Sequence, residues 1–261
     1  MPFVDMEKHP GTYSESFPVF GTENMWEYYF LPVSVADKKE VYASENWIDS
    51  QGRFPHEVMD SLFGETPWLL ATFDKYVSLR EESKQFLTLS RENMGIARDV
   101  LGVHFRGTDM RTTADHPMPP SEKQVFKRVD NALATSNFDR IHLVTDHENY
   151  LNSFSRRYGS RMTSLNVARS GLLDVYKEYP RPNHRYLLGL ETLVETHLLA
   201  ECGGLISGYS GVSEMARVLS RGKHRLSEQI WNGRLRGGRL SQKFLWAYRS
   251  KTHRLLGGFS A

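Results

Sequence analysis

A histidine, an arginine and an aspartate follow a short apolar run in the order His104, Arg106 and Asp109. The run at 100–103 is typical of a buried strand, and the Gly-Thr pair after Arg106 indicates a turn at its carboxyl end. Ligands of open α/β sheets bind at that end. An arginine there can hold a phosphate through two parallel charge-assisted hydrogen bonds, so the pattern predicts an anion site centred on Arg106. The alternative is an ordinary buried histidine and a structural pair between Arg106 and Asp109.

A second apolar run ends in Thr145 and Asp146. A carboxylate at the carboxyl edge of a parallel sheet can accept hydrogen bonds from the edge of a purine or from a ribose. Thr145 or Asp146 can instead cap the helix that is predicted to follow. The pair is therefore a candidate contact for the nucleoside part of a ligand, with helix capping as the alternative.

A third apolar run, at 204–206, opens into a turn rich in serine and glycine and then into a helix. Backbone amides at a helix N-terminus, with hydroxyls beside them, form a site for phosphate. The turn lacks the lysine of a Walker loop and does not match the dinucleotide fingerprint. A capped helix with Ser210 as N-cap is the structural interpretation, and it is compatible with anion binding. The candidate binding residues in this turn are Ser207, Ser210, Gly211 and Ser213.

These motifs fall on a regular alternation of strands and helices, which predicts a parallel sheet. The predicted strands are 99–105, 140–145, 161–165 and 203–207. The predicted helices are 121–134, 147–157, 184–200 and 211–220. A polar, proline-containing stretch at 166–183 predicts a mobile loop over the site.

The first 93 residues are irregular, because prolines interrupt every long periodic stretch. Helices are predicted at 24–32 and 74–93, and residues 2–6 read as a strand. We divide the chain into an N-terminal acceptor-side α/β region, a nucleotide-sugar domain and a basic tail. Their boundaries are 1–93, 94–224 and 225–261.

Composition sets broad limits on the class of protein. The 261 residues are 39% hydrophobic and 25% charged, which indicates a globular chain. The single cysteine, Cys202, excludes an intramolecular disulfide framework and is expected to be buried. The sequence has neither a long apolar span nor a signal peptide, so we expect a cytoplasmic protein.

Positive charge is concentrated in the segment 225–261, which holds eight Lys or Arg residues against one Glu. This segment therefore carries a net charge of +7, whereas the whole chain carries +2. Aromatic residues alternate with the basic ones. This composition suits peripheral contact with an anionic membrane. The alternative is a solvated terminus that packs on the rest of the chain, and nucleic acid is not among the partners we expect.

In their residue types and their order along the chain, the three motifs resemble those of the fucosyltransferase superfamily that includes NodZ-type α1,6-fucosyltransferases and protein O-fucosyltransferases. The hallmark of that superfamily, His-x-Arg-x-x-Asp, corresponds to His104, Arg106 and Asp109. The later acidic residue corresponds to Asp146. A Ser-x-x-Ser-x-x-x-Glu-like turn is matched by Ser207, Ser210 and Glu214. The resemblance covers about residues 95–220.

The resemblance implies a GT-B-like α/β fold with a C-terminal Rossmann-like domain and a reduced or incomplete N-terminal domain. It implies inverting transfer of fucose from GDP-fucose to a glycan or lipid-linked acceptor, without a cofactor or a metal. Arg106 would stabilise charge on the leaving phosphate. NodZ-type enzymes carry a second arginine where this chain has Gly107, so Arg111 becomes the second candidate for that role. A non-catalytic sugar-nucleotide-binding protein, or a transferase of another GDP-sugar, is the alternative.

The base that deprotonates the acceptor is not fixed by the motifs. Asp115 and His116, in the loop after the first motif, are the nearest candidates. Asp109 can instead hold Arg106 in place. Metal independence also agrees with the sequence itself, which has no Asp-x-Asp motif and no His or Cys pair at ligand spacing.

Overall fold

The computed structural model describes residues 2–7, 10–46, 67–106, 117–170 and 180–233, together with 244, 247–249 and 251–252. The chain divides into two compact units. The first unit is Met1–Thr88 with Tyr179–Glu191, and the second unit is Leu89–Glu178 with Thr192–Ala261. The candidate site residues Asp109, Arg111, Asp115 and His116, together with Gly107, lie outside the described residues.

A five-stranded parallel sheet forms the centre of the second unit. Its strands are β1 (Val100–His104), β2 (Arg140–Val144), β3 (Met162–Thr163), β4 (Gly204–Gly208) and β5 (Leu226–Ile230). Their order is β3-β2-β1-β4-β5. This is the order of the first five strands in doubly wound Rossmann-type folds, in which ligands bind where the order reverses, here between β1 and β4. The predicted α/β class and parallel sheet are confirmed.

Seven α-helices are described along the chain. They are α1 (Lys38–Ala43), α2 (Pro67–Tyr76), α3 (Glu81–Met94), α4 (Glu122–Thr135), α5 (Glu148–Tyr158), α6 (His184–Glu201) and α7 (Gly211–Ser220). Capping boxes begin α4, at Ser121, and α7, at Ser210. The helices predicted at 121–134, 147–157, 184–200 and 211–220 are confirmed to within a residue at each end.

Helices cover both faces of the sheet. On one face, α4 and α5 contribute Val125, Val129 and Phe154 to a cluster with Leu101 and Ile206. On the other face, α6 and α7 pack against the sheet. The second cluster contains Leu199, Leu205 and Ala216. Leu205 and Ile206 are consecutive in β4 and belong to opposite clusters, because strand side chains alternate between faces.

The helix predicted at 74–93 is wrong as one element, since α2 ends at Tyr76 and α3 begins at Glu81. Between them, the Ser78 carbonyl accepts from the Leu31 amide, and the Arg80 amide donates to the Tyr29 carbonyl. These backbone groups are therefore not available for helical bonds. The same pairing limits the predicted helix 24–32 to one 3-10 turn, Met25–Tyr28.

Two predicted strands also differ from the structure. Residues 2–7 form no strand, because the Asn24 side chain bonds the backbone there instead, donating to the Val4 carbonyl. The strand predicted at 161–165 is reduced to Met162–Thr163. Its continuation is held by the Arg169 guanidinium, which donates to the Leu165 carbonyl at 2.7 Å.

The basic tail begins later than predicted, because residues 226–230 form the edge strand β5 rather than a tail. Leu226, Glu228 and Ile230 alternate with more exposed neighbours, as expected for a strand at a sheet edge. Farther along, Arg249 is buried and donates to the Pro119 carbonyl at 3.3 Å. None of the described helices is long and apolar enough to cross a membrane.

The first unit is built on an aromatic cluster. Tyr29 stacks on Tyr186, and its hydroxyl donates to the Tyr186 carbonyl at 3.0 Å. Gly189 permits this approach, because a Cβ there would lie 2.1 Å from the Tyr29 hydroxyl oxygen. A larger residue at this position would therefore disrupt the cluster.

Candidate functional site

The carboxyl ends of β1 and β2 bring Arg106 and Asp146 together. The Nε atom of Arg106 lies 3.6 Å from Oδ2 of Asp146, and both side chains are partly exposed. This distance is an ion-pair contact that is longer than a hydrogen bond. Asp146, from the second motif, is thus the described carboxylate beside Arg106.

Thr145 links the two strand ends. Its hydroxyl donates to the Phe105 carbonyl at 2.7 Å and accepts from the His147 amide at 3.3 Å. Thr145 is buried, so it positions its neighbours rather than facing solvent. The N-cap of α5 is His147, whose Nδ1 accepts from the Asn149 amide at 3.1 Å. The capping alternative for Asp146 is therefore wrong, because His147 occupies that role.

His104 is buried between the site and the start of α7. Its Nδ1 lies 3.2 Å from the Ser210 hydroxyl. Burial, reinforced by the charges of Arg106 and Arg217, lowers the pKa of His104 to about 3. A neutral imidazole with so low a pKa is a poor proton acceptor near pH 7. The geometry favours a positioning role for His104 over a catalytic one.

The start of α7 lies beside β1, because Ser207 in β4 pairs with His104. Ser210 is the N-cap, and its hydroxyl accepts from the Ser213 amide at 3.2 Å. The Ser213 hydroxyl donates to the Gly208 carbonyl at 2.9 Å and is fully buried. Ser210 and Ser213 therefore use their hydroxyls to build the turn. The positive end of the helix dipole and the first-turn amides are the features of this turn that suit an anion.

Gly211 opens the first turn of α7 toward space. Among the described residues, no heavy atom lies within 4 Å of a Cβ built at Gly211. Gly208, at the end of β4, is instead tightly packed, because a Cβ there would lie 2.9 Å from Cδ of Pro120. The turn is thus tightly packed at Gly208 and has open space beside Gly211.

A polar network around the buried Glu214 was missed in the sequence. Arg217 contacts Glu214 at 2.6 Å and donates to the Ser207 hydroxyl at 2.7 Å. Gln229 also donates to the Glu214 carboxylate. Burial raises the pKa of Glu214, against the opposing effects of Arg217 and Gln229, and burial lowers the pKa of Arg217. The Ser207 hydroxyl is therefore engaged by Arg217, and the Glu-x-x-Arg spacing was the available signal.

Arg169 was also missed, and it fixes the segment beside Asp146. Its guanidinium donates to the Thr145 carbonyl at 3.1 Å and to the Ser164 hydroxyl at 2.7 Å. The Ser170 amide donates to the Asp146 carbonyl at 3.2 Å. The described part of the predicted loop, 166–170, is thus held against the strand ends, and 171–179 lie outside the described residues.

The described residues offer neither a metal centre nor a reactive thiol. Within the described ranges, no group of three His, Cys, Asp or Glu side chains is arranged to hold a metal ion. Cys202 is fully buried, and burial raises the pKa of its thiol to about 12. The prediction of a buried structural cysteine is confirmed.

Comparison with known proteins gave partial likenesses to solved structures. No protein family profile matches the chain, and no curated protein matches it by sequence. The structure of fucosyltransferase NodZ from Bradyrhizobium is 17% identical, with 75% of this chain and 76% of that chain covered and a TM-score of 0.49. NodZ α-1,6-fucosyltransferase co-crystallized with GDP is 16% identical, with 71% of this chain covered and a TM-score of 0.43.

POFUT1 in complex with GDP-fucose is 12% identical, with 65% of this chain and 51% of that chain covered and a TM-score of 0.39. The chain spans 59% of the length of the NodZ structure with GDP. NodZ-type enzymes are among those that the sequence motifs resemble. These likenesses concern the fold alone and assign no role to a residue.

Proposed function

We propose that this chain is a glycosyltransferase that takes fucose from GDP-fucose. The observation that carries the proposal is the meeting of Arg106, Asp146 and the start of α7 at the carboxyl edge of β1, β2 and β4. This edge contains the reversal of strand order, where Rossmann-type sheets bind nucleotides. The acceptor is a hydroxyl of a glycan or lipid-linked saccharide, encountered in the cytoplasm.

The two positive features of the site suit a diphosphate. Arg106 supplies a planar fork of donors, and the start of α7 supplies amides and a partial positive charge. Asp146 would repel phosphate and is better matched to ribose hydroxyls or to the N–H groups of guanine. Arg106 and Asp146 form an ion pair at 3.6 Å, and a donor phosphate would compete with Asp146 for the guanidinium.

In the proposed reaction, the bond between C1 of fucose and the β-phosphate oxygen breaks as the acceptor oxygen bonds C1 from the opposite face. Negative charge grows on the departing phosphate, where Arg106 and the helix end stabilise it. The acceptor proton passes to a base. Asp115 and His116 are our candidates for that base, and Asp109 is our candidate for holding Arg106. Metal independence remains part of the proposal, because Arg106 and α7 supply the positive charge.

Calorimetric titration with GDP, UDP, ADP and GDP-fucose tests the donor site before any acceptor is known. We expect GDP and GDP-fucose to bind more tightly than UDP and ADP. Arg106→Ala should weaken GDP binding about 30- to 100-fold, the effect of losing a charged hydrogen-bonding partner. Arg106→Lys should recover little, because lysine lacks the planar fork. Arg128→Ala removes an exposed arginine of α4, which pairs with Glu228 of β5, and serves as the control.

The results separate the donor site from the reaction. No GDP binding by the wild-type protein would end the transferase proposal, and unchanged binding by Arg106→Ala would remove Arg106 from the site. GDP binding without transfer to any saccharide would favour a non-catalytic sugar-nucleotide-binding protein. Tighter binding of another GDP-sugar would change the donor, and loss of transfer in a chelator would contradict metal independence.

A further inference from the structure

Two aromatic side chains lie at the same edge of the sheet as the proposed donor site. Tyr209 is in the turn between β4 and α7, and Trp231 follows β5 directly. Their ring centroids are 5.4 Å apart, and the rings meet edge to face at 75°. Because β4 and β5 are parallel neighbours, both rings stand at the carboxyl edge. Trp231 is nevertheless 52% exposed.

The backbone on both sides of Trp231 is fixed. Ile230, before it, is buried in the core. Asn232, after it, donates to the Pro119 carbonyl at 3.2 Å, and the Gly233 carbonyl accepts from the Met118 amide at 2.8 Å. A large apolar ring is thus held on a rigid frame and exposed at the site, which reduces the entropy lost when a ligand binds.

The aromatic pair is adjacent to the groups proposed for phosphate. Tyr209 immediately precedes Ser210, the N-cap of α7. Gly208, the residue before Tyr209, packs against Pro120. A ligand resting on this pair would therefore lie beside the start of α7, within reach of the sugar carried by a diphosphate bound there.

We infer that Trp231 and Tyr209 form the acceptor subsite and bind an uncharged pyranose ring of a saccharide. The inference rests on the proposed function. Aromatic faces carry partial negative charge, and the axial C–H groups of a pyranose carry partial positive charge. Stacking on Trp231 would fix the ring while leaving its hydroxyls free to react.

Two cations of the predicted membrane-binding tail are held within the fold. Arg225 stands at the opposite end of β5, where it stacks over Phe138 and donates to the Asn137 carbonyl. Arg249 is buried and donates to Pro119 and Gln124. Both side chains are therefore engaged within the protein, and binding to an anionic membrane is the alternative that the experiment tests.

A glycan array of neutral oligosaccharides, probed with and without saturating GDP, tests the acceptor subsite. The wild-type protein should bind a subset of saccharides, and Trp231→Ala should weaken that binding about tenfold. Trp231→Phe should retain part of it. Phe17→Ala removes an aromatic residue of similar exposure, 46%, from the first unit and should bind like the wild type. GDP affinity, measured by calorimetry, should stay within about twofold in all variants.

The arms of the experiment distinguish this inference from the proposed function. If GDP binds and no saccharide does, or if Trp231→Ala binds saccharides like the wild type, the acceptor subsite is wrong and the donor site stands. If GDP does not bind, the proposed function fails first. Loss of binding to phosphatidylserine vesicles in Trp231→Ala, with saccharide binding unchanged, would assign Trp231 to a membrane surface and overturn the inference.

Discussion

Two arginine–carboxylate pairs near the same edge of the sheet differ in how they are closed. Arg217 and Glu214 are in contact at 2.6 Å, and Ser207 and Gln229 complete a hydrogen-bond network around the buried Glu214 carboxylate. Arg106 and Asp146 approach only to 3.6 Å and are partly exposed. Short bonds hold the closed pair, whereas the open pair is joined by a longer ion-pair contact, for which a ligand phosphate would compete. This difference separates the scaffold from the candidate site more clearly than residue type does.

The largest expected effect comes from opening the closed pair. Arg217→Leu leaves the buried Glu214 carboxylate without its arginine partner. We expect this change to lower the free energy of unfolding by about 3–5 kcal/mol. Urea unfolding measures this loss. The double variant Arg217→Leu, Glu214→Leu removes both charges and should recover part of it. A loss below about 1 kcal/mol in the single variant would show that the network contributes little.

Acid should weaken the scaffold through two buried histidines. Burial lowers the pKa of His104 to about 3 and that of His142 to about 4. Both pKa values lie below the unfolded value of 6.5. Between each folded pKa value and 6.5, the unfolded state therefore binds more protons than the folded state. The free energy of unfolding consequently falls as the pH drops below 6.5. From pH 7 to pH 5, each histidine should remove about 2 kcal/mol from the free energy of unfolding.

Urea unfolding at pH 7, 6 and 5 measures this loss for the wild type and for His142→Met. The variant places an apolar side chain of similar size in the core and removes one of the two titrating groups. It should therefore lose less stability than the wild type, by about 2 kcal/mol over the same pH interval. An identical pH dependence in both proteins would contradict the assignment to His142.

Two helix caps sharpen the same comparison. Ser210 caps α7 at the candidate site, and Ser121 caps α4 through an equivalent capping box. Replacing either serine by alanine should cost about 1 kcal/mol of stability. Only Ser210→Ala should also weaken GDP binding in calorimetry, because it disturbs the helix start that we assign to phosphate. Equal GDP affinities in the two variants would separate α7 from the site.

The smallest expected change in stability comes from the open pair. Arg106→Leu should alter the free energy of unfolding by at most about 1 kcal/mol, because the pair is partly exposed and lacks a short mutual contact. Urea unfolding beside the Arg217→Leu variant makes the comparison direct. If the two variants lost similar stability, Arg106 would belong to the scaffold and the distinction between the pairs would disappear.

Sequence patterns predicted the regular half of the fold because its signals are local. Apolar runs mark the strands, and Ser121 and Ser210 mark helix starts through side-chain caps. The same local patterns predicted that Arg106 and Asp146 lie at the ends of strands in one sheet. Their proximity follows from parallel pairing of β1 and β2.

What the sequence missed depends on contacts between distant residues. The break between α2 and α3 exists because residues 78–80 pair with 29–31. Arg217 reaches Ser207 only after α7 packs against β4, and Arg169 binds carbonyls from two segments. Arginines on polar stretches look solvated in sequence, because nothing local indicates which acceptors they will meet.

The buried thiol has a practical consequence for labelling. Cys202 is the single cysteine of the chain, fully buried and with its pKa raised to about 12. Thiolate-directed reagents therefore find almost no reactive form of it in the folded protein. A cysteine introduced at an exposed position such as Val35, 94% exposed, can carry a fluorophore without removal of the native residue.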